Sequence, residues 1–424
     1  MENRKNLEYT CPSHGGWGMV RTGMLVPDSY QLFVCPSACG RHGALGAVKQ
    51  GLKNRLCYLY LEESDIISGY DNAIIEAAGE MFERLGFRPK VLFVFVSCLD
   101  DLIGTDCDAV IDELSMLYPD VQFRMCHMNP ISGESEEPPQ KGIWKNMYSL
   151  LERSEDMPRR RVNTLGNLRA VHSESELHTF LQCLGIEKVC QVDACDSYEE
   201  FRDMGNNCLN LVVSSQADRA AQLLKRKENM EYMDALISYD FDEIEETYDA
   251  IVRKLQELQI VGENELPKQA KDVLEQSRKK AQEAILTAKE KVGEKSISLD
   301  YSAFFRPLKA ARFLLKQGFC IDGIYMKDID TEDEDYRWFT ENTDIPIIKV
   351  NGADMVNKWK TNGEGIAIGM EAAYVTGSEH VVVMFQDEEM YGYHGVCRLM
   401  KMLCDCLEEK TDLEQTIQRI GLVV

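Results

Sequence analysis

The 424-residue chain is poor in proline (12), histidine (7) and tryptophan (4). It contains no run of about 18 apolar residues free of charge, so a membrane-spanning helix is not expected. Its opening, Met-Glu-Asn-Arg-Lys-Asn-Leu-Glu, lacks the apolar stretch of a secretory leader, and the expected compartment is the cytoplasm. Positive charge is scarce too. Against 71 acidic residues stand 47 basic ones, a formal net charge of −24, which argues against a binder of nucleic acid or of an anionic membrane. No G-x-G-x-x-G follows any strand-like run, so a dinucleotide is not indicated. With 44% hydrophobic and 28% charged residues, disorder is disfavoured. At roughly 150 residues per domain, two or three domains are expected.

Cysteine is abundant, with 15 in the chain. In a reducing compartment clustered thiols read as metal ligands, redox groups or core filler. Cys183, Cys190, Cys195, Cys208, Cys320, Cys397, Cys404 and Cys406 lie in apolar or helical contexts and are expected to pack as small hydrophobes. Cys57, Cys107 and Cys126 are expected to be structural as well. Cys11, Cys35, Cys39 and Cys98 differ, because each stands beside glycine, proline or serine, the residues of loops and turns. Cys11 opens Cys-Pro-Ser-His-Gly-Gly; Cys35 and Cys39 bracket Cys-Pro-Ser-Ala-Cys-Gly-Arg-His-Gly; Cys98 ends Val91-Leu-Phe-Val-Phe-Val-Ser97-Cys98. Glycine beside a thiolate lets bulky sulfide approach the backbone N–H groups. The spacing matches neither paired C-x2-C zinc knuckles nor a ferredoxin run. Cys35 has two readings, a fourth ligand or a core residue closing Tyr-Gln-Leu-Phe-Val. His14 and His42 read as loop hydrogen-bonding residues or as donors to sulfide, and Asp100 and Asp101 as a helix cap or an oxygen ligand.

Periodicity predicts helix, then buried parallel strand, then helix over Asn72–Leu85, Val91–Val96 and Asp106–Leu117. This places Cys98 just beyond a strand's carboxyl end, where open α/β sheets carry their functional groups. A polar loop is expected over 132–142. A second β/α series follows through Val162-Asn-Thr-Leu-Gly, a helix Ser175–Leu184, strands Lys188–Val192 and Leu209–Val213, and a helix Asp218–Arg226. Residues 263–295 read as a charged helix docked on one side, and a third series runs through 318–326, 344–350, 363–369 and 379–385 to a last helix at 395–407. The expected divisions are 1–155, an N-terminal α/β domain; 156–262, a second; 263–296, a linker helix; and 297–424, a third.

The first division resembles the component 1 family of nitrogenases and their relatives, which includes subunits of the dark-operative protochlorophyllide reductase and a nickel-tetrapyrrole reductase of methanogens. The residues that carry the resemblance are Cys11, the run Cys39-Gly-Arg-His-Gly, the run Ser97-Cys98-Leu-Asp-Asp-Leu-Ile-Gly-Thr-Asp106, and Glu62-Glu-Ser-Asp-Ile-Ile-Ser-Gly-Tyr-Asp71, in the family's order. Weaker similarity extends to Tyr391-Gly-Tyr-His-Gly395. The resemblance implies an α/β fold of three Rossmann-like parallel-sheet domains. It also implies an iron-sulfur cluster, 4Fe-4S or P-cluster-like, bridged at a subunit interface by Cys11, Cys39 and Cys98, with Cys35 a further candidate. The implied partners are an ATP-dependent iron-sulfur reductase and a second component 1-like subunit, identical or not.

One departure limits the function. Where catalytic nitrogenase subunits place a cofactor-binding cysteine after the strand matching Leu209–Val213, this chain has Ser214, a much poorer ligand for iron-sulfide. His394, in Tyr-x-His-Gly, matches a neighbouring structural histidine better than the family's cofactor ligand. Electron transfer to a small substrate other than dinitrogen is therefore expected, the alternative being a non-catalytic scaffold or carrier for cofactor assembly. Ser214, Ser215, Asn351, Tyr391 and His394 are the expected pocket-lining residues.

Overall fold

The computed structural model describes residues 18–37, 39–40, 44, 47–48, 51–128, 139–154, 158–262, 266–351 and 363–420. Cys11, His14 and His42 lie outside the described residues, as does the side chain of Asp101. Two compact units emerge, one of Trp17–Ala170 with Lys188–Leu236, the other of Val171–Glu187 with Ile237–Val424.

The first unit contains two four-stranded sheets. Strands β1 (Ser29–Cys35), β2 (Leu56–Tyr60), β3 (Val91–Val96) and β4 (Gln122–His127) lie in the order β2-β1-β3-β4, all parallel. β3 is buried at every position because it pairs on both edges and packs on both faces, which is what its continuous apolar run requires. Leu92, Val94 and Val96 face Ile74, Ala78, Met81, Phe82, Val110 and Leu114. On the opposite face Phe95 stacks on Phe33 with centroids 4.7 Å apart. The helix Asp71–Leu85 supplies Ile74, Ala78, Met81 and Phe82 from one stripe and ends at Gly86 in the left-handed conformation.

The polar loop expected up to residue 142 stops earlier. From Pro139 the chain is a helix, Pro139–Tyr148, whose buried stripe is Ile143, Trp144, Met147 and Tyr148; proline is at home in a first helical turn, where its missing N–H costs nothing.

The second sheet of this unit orders β5 (Arg159–Leu165), β6 (Lys188–Cys190), β7 (Asn207–Val212) and β8 (Tyr232–Asp234) as β6-β5-β7-β8, again parallel. Its interior carries asparagines that hydrogen-bond to one another. Asn163 Nδ2 donates to Asn210 Oδ1 at 2.8 Å, and Asn207 Nδ2 to Asn163 Oδ1 at 2.6 Å, as buried amides must.

The other unit has one five-stranded parallel sheet. Strands β9 (Ser296–Asp300), β10 (Cys320–Met326), β11 (Ile347–Lys349), β12 (Ile366–Ile368) and β13 (His380–Val382) are ordered β11-β10-β9-β12-β13. The expected linker helix is Lys268–Val292; it buries Ala270, Ala281, Ile285, Ala288 and Val292 and packs along the helix Gly392–Asp405. A helix not anticipated, Phe241–Glu257, buries Ile244, Tyr248, Ile251 and Leu255. No described helix is long and apolar enough to cross a membrane.

Gly166, just past β5, has φ +105°, and a Cβ there would lie 2.8 Å from the Ser214 carbonyl oxygen. Gly166→Ala is expected to lower the unfolding free energy by about 2 to 4 kcal/mol, read as a fall in Tm, whereas an unchanged Tm would contradict this packing.

Candidate functional site

The carboxyl ends of β2, β1, β3 and β4 share one edge of their sheet, since all four strands are parallel. β1 ends at Cys35, and Pro36 then turns the chain: the N–H groups of Cys39 and Gly40 both donate to the Pro36 carbonyl, at 2.9 and 3.4 Å. This turn leaves Cys39 exposed. β3 ends at Val96, opposite Val34 of β1. Ser97 Oγ then accepts from Leu99 N at 3.4 Å and caps the helix Cys98–Ile103, whose first residue is the half-buried Cys98. Cys39 and Cys98 thus follow the ends of neighbouring strands.

Cys35 is different. It is fully buried, and burial, reinforced by the nearby Cys39 thiol, pushes its pKa up to about 12. It is a protonated thiol at neutral pH, and metal ligation there requires loss of that proton. Asp100 is not a helix cap: it is buried and accepts a hydrogen bond from the Tyr70 hydroxyl. The caps here are Ser97 and Asp106, the latter accepting from Ala109 N at 3.0 Å. The same sheet edge exposes large apolar side chains, with Ile67 86% and Leu102 76% accessible and Tyr60 and Ile103 also exposed. Such surface normally marks a covered face.

Ser214 and Ser215 follow β7 in the same unit. Ser214 is buried, and its hydroxyl accepts from Gln216 N at 3.3 Å, capping the short turn Ser215–Ala217. Ser214 is therefore held in a local structural role; Ser215 is exposed.

Asn351, Tyr391 and His394 belong to the other unit. Asn351 is half-buried after β11. The other two flank the start of the helix Gly392–Asp405, which a buried carboxylate positions. Glu176 accepts from Tyr393 N at 2.7 Å, His394 N at 3.0 Å and the Tyr248 hydroxyl at 2.8 Å. These bonds favour the ionised form, but desolvation dominates and raises the Glu176 pKa. Gly392 sits against it at φ +58°, with no room for a Cβ, which would meet Glu176 Oε1 at 2.0 Å. Tyr391 Oη and His394 Nε2 are buried without a hydrogen-bond partner among the described residues. Burial lowers the His394 pKa, and His172 and Arg398 lower it further.

The segment leading into this helix is strained: Gln386, Asp387 and Glu389 all have positive φ, at 44°, 52° and 63°. Asp387 holds it in place, accepting from the Tyr239 hydroxyl at 2.6 Å and Phe305 N at 2.7 Å. The sequence hid Glu176 and Asp387, since an acidic residue in a helix's first turn or a polar loop looks solvated. A cavity of about 240 Å³ lined by Asp240, Glu243, Lys309, Arg312, Lys316 and Asp335 also went unforeseen. Its cations pair with its own acids, Lys309 with Glu243, Arg312 with Asp335 and Lys316 with Asp240.

Of the cysteines expected to pack, Cys190, Cys208, Cys404 and Cys406 are buried and Cys183, Cys195 and Cys397 half-buried. Cys320 is the exception, exposed at the first position of β10: a strand's opening residue lies at the sheet rim, which packing does not reach.

Burial raises the Asp387 pKa from 3.8 to about 6 against the opposing pull of its hydrogen bonds. A carboxyl whose folded pKa lies above its unfolded one contributes stability at low pH that is lost as pH rises through the folded value. Relative to Asp387→Asn, the wild type should therefore lose about 2 kcal/mol between pH 4 and pH 7. Parallel Tm-versus-pH curves for the two proteins would contradict this.

Compared with known proteins, residues 13–408 match the family described as nitrogenase component 1 type oxidoreductase. Over 263 residues the chain is 24% identical to the nitrogenase iron-molybdenum cofactor biosynthesis protein NifE of Clostridium pasteurianum. That stretch covers 60% of this chain and 55% of the relative, so the chain spans about half the length of the curated relative it matches. Among solved structures, nitrogenase Cp1 at pH 6.5 superposes with a TM-score of 0.67 at 14% identity, covering 96% of this chain and 93% of that one. Nitrogenase Cp1 at pH 5 gives 0.64 at 18%, covering 94% and 88%. At such identities the likeness is one of fold. The family match spans all three sheets and includes Cys39, Cys98 and Ser214, and on that match the chain belongs to the nitrogenase component 1 type oxidoreductase family.

Proposed function

We propose that this chain is an iron-sulfur-binding component 1-type subunit whose Cys39 and Cys98, with Cys11 as a third ligand, hold a cluster at a face covered by a second component 1-like subunit. The observation that carries the reading is the carboxyl edge of the β2-β1-β3-β4 sheet, where two accessible thiols share one rim with exposed Tyr60, Ile67, Leu102 and Ile103. The donor set fits the group, because soft thiolates are the ligands of iron-sulfur centres. Cys35 remains in this reading a core thiol, its burial opposing the thiolate.

When bound, such a cluster supplies low-potential one-electron chemistry. The Pro36 turn presents Cys39 outward, the Ser97 cap fixes the first turn bearing Cys98, and the apolar rim excludes water once covered. The electron source in this proposal is an ATP-dependent iron-sulfur reductase in the cytoplasm, and the acceptor a small molecule other than dinitrogen. A second reading, a scaffold or carrier in cofactor assembly, shares the cluster and is favoured by Ser214, whose hydroxyl is engaged as a buried cap where a ligating thiol would be needed. Transfer of intact cluster to an apo-enzyme supports the scaffold; reductase- and ATP-dependent turnover by the complex supports the reductase.

Protein purified anaerobically from iron-replete cells should be brown and carry iron and acid-labile sulfide. Cys39→Ala and Cys98→Ala should each bleach it with the circular dichroism unchanged. A colourless, iron-free wild type, or variants that keep full iron and sulfide, would overturn the proposal.

A further inference from the structure

In the unit that contains the β9–β13 sheet, three metal-ligating side chains converge that neither the fold nor the cluster reading uses. One ligand atom each from His172, Glu174 and His394 lie within 4.8 Å of one another. His172 and Glu174 stand in the turn that leads into the helix Glu176–Cys183; Ser175 caps that helix, and its N–H donates to the His172 carbonyl at 2.9 Å. His394 stands in the first turn of the helix Gly392–Asp405. Glu176 joins the two elements, since the carboxylate two residues beyond Glu174 takes the His394 N–H. The three side chains are thus brought together by a buried polar anchor, not by chance proximity of mobile surface groups.

The two imidazoles stack, with centroids 4.8 Å apart and planes 17° from parallel. Neutral imidazole is the ligand form of histidine. His394 Nε2 is buried with no hydrogen-bond partner among the described residues, a condition native structures rarely leave unexplained. The positive charge of Arg398 is met by Glu389 at 2.6 Å.

We propose that His172, Glu174 and His394 bind one divalent first-row transition ion, of the range from Fe(II) to Zn(II). Two imidazoles and one carboxylate are a borderline donor set that suits these ions, whereas calcium and magnesium take oxygen ligands throughout. Three protein ligands leave coordination positions to water or a small ligand. Ligation through His172 Nε2 places that ring's proton on Nδ1, so the 3.2 Å contact from Glu174 N to Nδ1 gives way. This is a local change in a segment where Ser173 and Glu174 are exposed. The ion would lock the turn at 172–174 to the first turn of the helix Gly392–Asp405, which follows the strained segment at 386–389. The site shares no residue with the cysteine edge.

The test is titration of the full-length protein with Co2+ under anaerobic conditions, read by ligand-field absorption; thiolate-to-cobalt charge transfer marks any ion taken by cysteine instead. The expected result is one equivalent with nitrogen and oxygen ligation, displaced by Zn2+, in the wild type and in the Cys39→Ala/Cys98→Ala protein alike. His172→Ala should weaken it by roughly 100-fold or more and Glu174→Gln by about tenfold, with circular dichroism unchanged because both side chains lie outside the core. His394→Ala should abolish it, but His172→Ala decides the matter if that variant folds poorly. Co2+ binding unaltered by His172→Ala, only thiolate-ligated cobalt, or no uptake at micromolar Co2+ would each overturn the site.

Discussion

The pairing of β1 with β3 is the constraint on which the rest depends. A strand reading Val-Leu-Phe-Val-Phe-Val is stable only where both faces and both edges are covered, and β3 achieves this with β1 on one edge, β4 on the other and helices packed on its faces. Once Val34 lies opposite Val96, the positions of the two chain ends follow. The Pro36 turn and the Ser97 cap then decide which thiol reaches solvent: Cys35 stays inside the sheet, Cys39 comes out, and Cys98 opens a short helix. The chemical difference among these thiols is thus set by backbone geometry, burial holding one of them as a protonated core group.

In the other unit, buried carboxylates play the organising part. Glu176, Asp300 and Asp387 are each held by several donors: Glu176 by two backbone N–H groups and Tyr248, Asp300 by Ser302 N at 2.8 Å and Ala372 N at 2.7 Å, and Asp387 by Tyr239 and Phe305 N. Desolvation still wins, and all three pKa values lie above the usual range. Such groups fix segments that no apolar contact would hold. The left-handed residues at 386, 387 and 389 persist because Asp387 is pinned from two sides, and that rigidity places Tyr391 and His394 next to Glu176.

Local pattern was legible in the sequence wherever the cause is local. The β3 run, the helix stop at Gly86 and the placing of Cys98 past a carboxyl end all rest on periodicity and turn chemistry, and the expected parallel α/β architecture is present as three parallel sheets. The helix Phe241–Glu257 has a buried stripe of Ile244, Tyr248, Ile251 and Leu255, a pattern present in the residues but diluted by six acids. The polar stretch before residue 142 hid the apolar pairs of Pro139–Tyr148. What sequence could not carry is distance: Glu176 meets Tyr393 across 217 positions, and no spacing rule reaches that far. Ser214 lies between, since its identity was visible but its role as a buried cap against Gly166 was not.

Family membership narrows the chain to oxidoreductase or cofactor-assembly chemistry, and both readings rest on one centre at the Cys39 and Cys98 edge. Ser214 weighs toward a protein that handles a cluster without the catalytic cofactor of its relatives. Mössbauer spectroscopy of protein produced anaerobically with 57Fe addresses that centre most directly. The account predicts tetrahedral iron in an all-sulfide and thiolate environment, with antiferromagnetic coupling between the irons; no bound iron, or isolated iron with nitrogen and oxygen ligands alone, would contradict it.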